Sequence, residues 1–325
     1  MTSNILLAKK RDMSSFKKIL IAVDLSTHSL NAVRYVALNL PPADLRVNLM
    51  YVMTTAPEPF EDLEKAEFFK RKMRAKHTVW EKTEKKAAQD FLDEARSLLL
   101  GANFREDDVR VIIQERRVGI ARDIIAESSR GYDAVVVGRR GLSKLEDIFL
   151  GSVSYKIVQG VENTPVWVVG GDIHSKKMLL AVDDSDNSRK AVDYASTFAV
   201  ANGAEVKLFN VVREFRVDFL DISTPRGAEI EMRIVKELER DVQQMFAAYR
   251  KRLEKAGVDA VRISSKYTFQ SGTRAGDILK EAKEGNYGTI VMGRRGLSKV
   301  HEFFLGRVTT KVLHRAAGFA LWIVP

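Results

Sequence analysis

The chain has 325 residues, 45% hydrophobic and 30% charged, an ordinary globular mix that is long enough for two domains of roughly 150 residues, each with its own core. It contains no cysteine, which excludes disulfide scaffolds, Cys-ligated zinc, iron–sulfur clusters and thiol nucleophiles, and fits a reducing, cytoplasmic setting. Lysine and arginine outnumber aspartate and glutamate by 53 to 43, but the surplus is spread along both halves, as on a solvated surface, rather than gathered into a nucleic-acid-binding arm.

Residues 1–15, with a short apolar patch before Lys9 and Lys10, read as an N-terminal arm. The patch is too short for a signal sequence, and no stretch reaches the roughly 18 apolar residues of a membrane span. ILIAVD at 19–24 predicts the first strand. A helix is predicted over 28–39, with Leu30, Val33, Val36 and Ala37 on one face. Strand patterns follow at 47–53, 109–113, 134–137 and 166–169, with helical patterns at 119–130 and 152–161. Between the second and third strands lies a charged stretch around 61–100, longer than a crossover needs; it reads as an extended helix, a lid or simply a solvated face.

The chain then repeats itself. Residues 135–151 read VVVGRRGLSKLEDIFLG and 290–306 read IVMGRRGLSKVHEFFLG, while KKILIAVD at 17–24 returns as KKMLLAVD at 176–183. The boundary falls near Gly170, Gly171 and Asp172, which divides the chain into domains at 16–171 and 172–325. The second copy predicts strands at 178–183, 206–212, 261–265, 289–292 and 321–324. Continuous apolar strands alternating with helices imply parallel sheets covered on both faces, so each copy is expected to be a five-stranded Rossmann-like α/β sandwich.

In such sheets ligands sit beyond the carboxyl ends of the strands, where helix N-termini present free N–H groups. Two segments of each copy arrive there. Asp24 and Asp183 end the first strand of each copy, either as turn or N-cap residues or as acceptors for an exocyclic amino group such as adenine's. Gly138-Arg139-Arg140-Gly141 leaves the fourth strand, and Gly151-Ser152 opens the last helix nine residues later. Glycines admit a phosphate close to the backbone, Ser152 and Ser154 add hydroxyls at a helix start, and Arg139, Arg140 and Lys144 are available as countercharge.

VVVGRRGLSKLEDIFLGSVS resembles the G-x2-G-x9-G-[S/T] nucleotide loop of the universal stress protein family, and with ILIAVD at the start and PVWVV at the end the resemblance covers most of both copies. It implies two tandem Rossmann-like (adenine nucleotide alpha hydrolase-like) domains that bind ATP, with or without Mg²⁺, in a stress-response or signalling role. It further implies that Asp24 and the backbone of Val52 hold adenine, while Gly138, Gly141, Gly151, Ser152 and Ser154 hold ribose and phosphates. In copy two Asp183, Val211, Gly293, Gly296 and Gly306 match, but Arg307 stands where Ser152 does and the final strand lacks its preceding proline. Arg307 would either pair a phosphate or fill its pocket, so copy one is expected to bind ATP and copy two to bind it weakly or differently. Members of this family commonly pair their terminal strands between subunits. The apolar VWVV and LWIV strands, carrying Trp167 and Trp322, are therefore expected to pair the two copies as an internal pseudo-dimer, which a second chain joins as a homodimer.

Other chemistries find less support. Asp184-x-Asp186-x-Ser188 resembles a dehalogenase-type phosphatase motif without its later metal ligands, and as a calcium loop it has Arg189 where glycine is required. No histidines pair at zinc spacing, and neither a Walker A motif nor a serine nucleophile elbow occurs. A slow ATPase or phosphoryl transferase on the same site lacks an evident general base. A basic nucleic-acid-associated role lacks any recognition motif.

Overall fold

A computed structural model describes residues 17–54, 67–140, 150–213, 224–297 and 305–325. The expected arm at 1–15 and the start of the charged stretch lie outside them. Copy one contains β1 (Lys17–Val23), α1 (Thr27–Asn39), β2 (Leu45–Met53), α2 (Glu67–Gly101), β3 (Val109–Glu115), α3 (Ile120–Ser128), β4 (Ala134–Gly138), α4 (Ser152–Gly160) and β5 (Val166–Val169). Copy two repeats the plan with β6 (Met178–Ala181), α5 (Asp186–Asn202), β7 (Val206–Val212), α6 (Pro225–Lys255), β8 (Ile263–Phe269), α7 (Arg274–Glu284), β9 (Thr289–Gly293), α8 (Arg307–Arg315) and β10 (Ala320–Val324).

The strand patterns form because they are apolar on both faces: every residue of β4 and of β9 is buried, as parallel strands between two helical layers require. Helices start where short polar side chains cap them. Ser26 accepts from Ser29 N–H, Ser185 from Ser188 N–H, and Thr224 from Gly227 N–H ahead of Pro225 at the first helical position. The charged stretch is a helix of 35 residues, α2, whose described apolar residues Ala88, Leu92, Ala95 and Leu99 are fully buried.

Several strand limits differ from expectation by one or two residues, and the shifts of two strands have a side-chain cause. β6 stops at Ala181 rather than at 183, because Asp183 turns out of the ladder and gives its N–H to Ser188 Oγ (3.0 Å). β8 runs over 263–269 instead of 261–265. Asp259 Oδ1 takes the Val261 N–H at 3.1 Å and folds Ala260–Arg262 into a 3₁₀ turn, so the strand begins later. Its ISSKYTF sequence lies at a sheet edge, where the apolar signal is diluted.

The two five-stranded sheets are halves of one. Strand order is β3-β2-β1-β4-β5-β10-β9-β6-β7-β8, parallel within each copy and antiparallel only where β5 meets β10, with Trp167 opposite Trp322. The indoles stack with centroids 4.0 Å apart and planes 4° from parallel. Phe198 stands edge-on to both at 5.2 Å. Contacts repeat to either side of this seam. The Tyr35 hydroxyl shares a hydrogen bond with Thr289 Oγ1 (2.7 Å), and its counterpart Tyr194 donates to Asp133 O (2.9 Å). Gly170 gives its N–H to Phe319 O at 3.0 Å and lies so close to Ala317 that a Cβ there would meet Ala317 O at 2.5 Å. Each copy thus closes the other's free edge, the pseudo-dimer arrangement anticipated from the terminal strands. No helix among the described residues is long and apolar enough to cross a membrane.

The copies share a buried glutamate, Glu127 or Glu281, but not the groups that hold it. Copy one buries Glu127 under Tyr132, which in turn accepts from Asn48. Copy two buries Glu281 between Lys207 (2.9 Å) and Lys266 (2.5 Å). Burial disfavours the Glu281 charge, but the hydrogen bonds from Lys266 and Lys207 outweigh it and hold the carboxyl below the ordinary glutamate value of 4.5.

Two outcomes follow. Trp167→Ala and Trp322→Ala should each cost about 3–5 kcal/mol in urea unfolding, and the double variant should cost less than their sum because both remove one stack; strict additivity would deny the seam its central place. A carboxyl whose folded pKa is lowered stabilises the fold above its unfolded pKa, and that contribution disappears as pH falls through the folded value. The stability gap between wild type and Glu281→Gln should therefore be widest near pH 7 and narrow as pH falls below the ordinary glutamate value of 4.5.

Candidate functional site

In each copy the strand order reverses between β1 and β4, or between β6 and β9, and a crevice opens at the carboxyl ends of those strands. Asp24 and Asp183 line it. Asp24 Oδ1 accepts from Ser26 Oγ (2.5 Å) and Ser26 N–H (3.3 Å). Asp183 Oδ1 accepts from Ser185 Oγ (2.5 Å), Ser185 N–H (3.2 Å) and Ser188 Oγ (2.7 Å). The aspartates are therefore not the helix caps, since the serines are, and each braces the cap with one oxygen. Asp183 directs Oδ2 at the glycine loop, where Leu297 N–H lies 3.3 Å away and a Cβ on Gly296 would come within 2.5 Å.

The second strand contributes backbone. Phe209 O accepts from Val182 N–H. Two residues on, Val211 turns its own N–H and C=O to the same side, where β6 has already ended. In copy one Arg116 N–H bonds Met53 O on the β3 side, so the adjacent Val52 faces the β1 side beyond the last β1–β2 pair, Val23 with Tyr51. Val211 therefore offers unpaired main chain to its crevice, whereas in copy one the ladder runs on to Val23 with Tyr51 and engages the Val52 N–H, leaving the Val52 C=O beyond the last pair.

The glycine loop is built otherwise than the sequence implies. Gly138 is held by packing: a Cβ there would lie 2.7 Å from His28 O in the first turn of α1, and one on Gly293 would lie 2.8 Å from the Asn187 backbone. These glycines let a helix start press against the strand end. Ser154, expected at the phosphates, is buried and donates to Gly138 O (2.7 Å), as Thr309 does to Gly293 O (3.1 Å). Arg139 leaves the crevice entirely. Its guanidinium crosses the seam and donates to Leu313 O and His314 O, both at 2.5 Å, at the carboxyl end of α8. Arg294 does the same in reverse, reaching Val161 O and, at 2.8 Å, Gln159 O at the end of α4. Burial, then the adjacent Arg140 charge, draws the Arg139 pKa below its ordinary value, and burial followed by Arg295 does so for Arg294. The countercharge expected of Arg139 thus serves as a helix C-cap between copies.

What remains at the crevice is a helix start without a cap. α4 and α8 begin at Gly151 and Gly306, neither with a side-chain cap, and the N–H of each glycine is tied to Arg139 O or Arg294 O at 2.9 Å. The next N–H groups, from Ser152 or Arg307 onward, open the helix at its positive end. In copy two Asp183, Val211, Gly293, Gly296, Gly306 and Arg307 all border one cavity of about 1060 Å³. Arg307 is exposed at its rim and leaves the cavity open. Arg295 lines the same cavity, and its buried Nε has no acceptor among the described residues. In copy one Asp24, Val52, Gly138, Gly151 and Ser152 hold the corresponding places, and Gly141 lies outside the described residues.

Sequence reasoning missed three neighbours of these crevices. Glu84 of α2 accepts from Tyr51 (2.9 Å), Thr54 Oγ1 (2.8 Å) and Thr54 N–H (3.2 Å), latching the end of β2. Arg213 and Arg274 line the copy-two cavity. No motif marks Glu84, because its partners lie across a long insertion; a position-by-position comparison of the copies would have exposed the two arginines. The reassignment of Arg139 is open to test. Arg139→Ala should lower the stability of the nucleotide-free protein by about 1.5–3 kcal/mol, the worth of hydrogen bonds from a charged group, whereas a purely ligand-facing arginine would leave it unchanged.

Comparison with known proteins agrees with this geometry. The model of the universal stress protein family matches twice, over residues 15–170 and 174–323. Universal stress protein YxiE of Bacillus subtilis is 33% identical over 140 residues, 42% of this chain and 90% of that protein. A universal stress protein of Mycolicibacterium smegmatis is 29% identical over 205 residues, 59% of this chain and 63% of its own length. Among solved structures, a universal stress protein from Archaeoglobus fulgidus superposes with a TM-score of 0.60 at 20% identity, covering 94% of this chain and 97% of that one, a likeness of fold. With the family match spanning both copies of the repeat, the chain belongs to the universal stress protein family as a tandem, two-copy member.

Proposed function

We propose that this protein is an ATP-holding module of the stress response, a cytoplasmic binder whose partner is an adenine nucleotide rather than an enzyme with committed chemistry. One observation carries the reading: an acidic side chain, unpaired main chain on the neighbouring strand and an uncapped helix start converge on one cavity in copy two, and the same residue types stand at the same places in copy one.

Each part suits a piece of the ligand. The carboxylate oxygen of Asp24 or Asp183 that does not brace the serine cap is an acceptor for the adenine amino group. The backbone of Val211 offers a donor and an acceptor to the base edge, and that of Val52 an acceptor. The N–H groups opening α4 or α8 suit phosphate oxygens, since a helix N-terminus stabilises anions by about 0.3–1 kcal/mol and more where partly buried. A buried Arg295 Nε without an acceptor is a polar atom that an anion would satisfy. Mg²⁺ would arrive on the phosphates. In this reading copy one is an ATP site, copy two holds nucleotide on different terms because of Arg307, and a second chain extends the pseudo-dimer to a homodimer.

Purified protein, denatured and passed over anion exchange with mass detection, should release adenine nucleotide, and the stripped protein should titrate ATP by calorimetry. Gly151→Arg should remove the copy-one component and Gly306→Arg the copy-two component, with different affinities lost. No nucleotide on the purified protein and no heat at millimolar ATP would overturn the reading, and equal losses from the two variants would overturn the asymmetry.

A further inference from the structure

The two copies serve as controls for one another, and they part company at the anion-binding end of the crevice. The residue following β2 is Thr54; the residue following β7 is Arg213. α3 opens with Ile120; α7 opens with Arg274. α4 opens with Ser152; α8 opens with Arg307. At three corresponding points of one scaffold, uncharged side chains in copy one have become arginines in copy two.

These arginines converge. Arg213, Arg274 and Arg307, together with Lys311 one turn along α8, line a side chamber of about 310 Å³, and the three arginines also border the main cavity of about 1060 Å³, so the spaces adjoin. The amino ends of α7 and α8 meet there and add the positive ends of two helix dipoles. Among the described residues none of the four cations has a carboxylate within ion-pair distance. Some arginines of copy two do, as Arg189 has Asp184, Arg250 has Glu254 and Arg252 has Asp193. In copy one Glu84 sits on Thr54, at the place Arg213 takes in copy two; the α6 carboxylate on the copy-two cavity wall, Asp241, makes no ion pair with these arginines among the described residues. Four like charges with no carboxylate partner among the described residues repel one another, and an anion of several charges relieves that repulsion. The guanidinium fork fits phosphoryl oxygens in particular.

We propose that copy two is selective for nucleotides with more than three phosphoryl groups, the further phosphate occupying the chamber among Arg213, Arg274, Arg307 and Lys311. The proposal rests on the reading of the main cavity as a nucleotide site. A fourth phosphoryl group either extends the 5′ chain past the start of α8 or branches from the ribose, and both place added charge beyond a triphosphate.

The test uses the full-length chain carrying Gly151→Arg to silence copy one, titrated with ATP, adenosine 5′-tetraphosphate, adenosine 3′-phosphate 5′-triphosphate and inorganic tripolyphosphate. One or both four-phosphate nucleotides should bind about 10- to 100-fold more tightly than ATP, the worth of one added charge-assisted contact, and the better of the two tells chain extension from branching. Adding Arg213→Thr and Arg274→Ile, which restores the copy-one residues at exposed positions, should erase the preference while ATP still binds. Raised salt should weaken the four-phosphate ligand more than ATP. Binding of ATP with no gain from a fourth phosphate, or a gain that survives the double substitution, would overturn the proposal and leave the nucleotide reading standing. Tripolyphosphate binding that the double substitution abolishes, with no nucleotide bound, would instead overturn the nucleotide reading and leave the chamber as a polyphosphate site.

Discussion

The antiparallel meeting of β5 with β10 is the constraint on which the rest of the molecule depends. A five-stranded parallel unit ending in a short apolar strand presents a row of unpaired backbone groups that invites association. Four residue pairs from Val166–Val169 and Ala320–Ile323 close both edges at once. The stacked indoles at the centre of this seam bury the two largest side chains of the core against each other, and Tyr35, Tyr194 and Phe198 from the flanking helices pack or bond around them. A single ten-stranded sheet follows, with the two crevices related by the seam's pseudo-two-fold symmetry.

That symmetry determines where the loop arginines end. Arg139 follows the crevice glycine of copy one and finishes on the carboxyl end of α8, whose amino end borders the crevice of copy two; Arg294 and α4 mirror it. A positive guanidinium on exposed terminal carbonyls is favourable twice over, satisfying orphan acceptors and opposing the negative end of the helix dipole. The glycine loop therefore has an inward task at its crevice and an outward one across the seam, assigned to adjacent residues.

Within this shared frame the copies have diverged in charge rather than in shape. Backbone positions of the crevice correspond strand by strand, and both last helices start at an uncapped glycine. The aspartate and serine that brace the start of α1 or α5 also correspond, but several polar groups around the crevices have different partners. Glu84 latches the end of β2, while Arg213 stands after β7; Glu127 is covered by a tyrosine, while Glu281 is held by two lysines. Duplication preserves the packing that makes the fold and leaves the electrostatics of each crevice free to change, since exposed charges cost little to exchange.

The sequence by itself determined the repeat, the order of strands and helices, and the arrival of Asp24, Gly138 and Gly151 at one end of a sheet, because apolar periodicity and glycine placement are local properties of the chain. Strand limits moved most where a side chain intervened, as Asp259 did before β8. The destinations of long or small polar side chains were decided by the tertiary structure alone. Arg139 passes for a phosphate ligand until α8 is seen across the seam, Ser154 until Gly138 O is seen beneath it, and Glu84 for a solvated residue until Thr54 is seen in its reach. Which partner a polar group finds depends on groups from 16 residues away, as for Ser154, to more than a hundred, as for Arg139, and that proximity exists only once the sheet and the seam have formed.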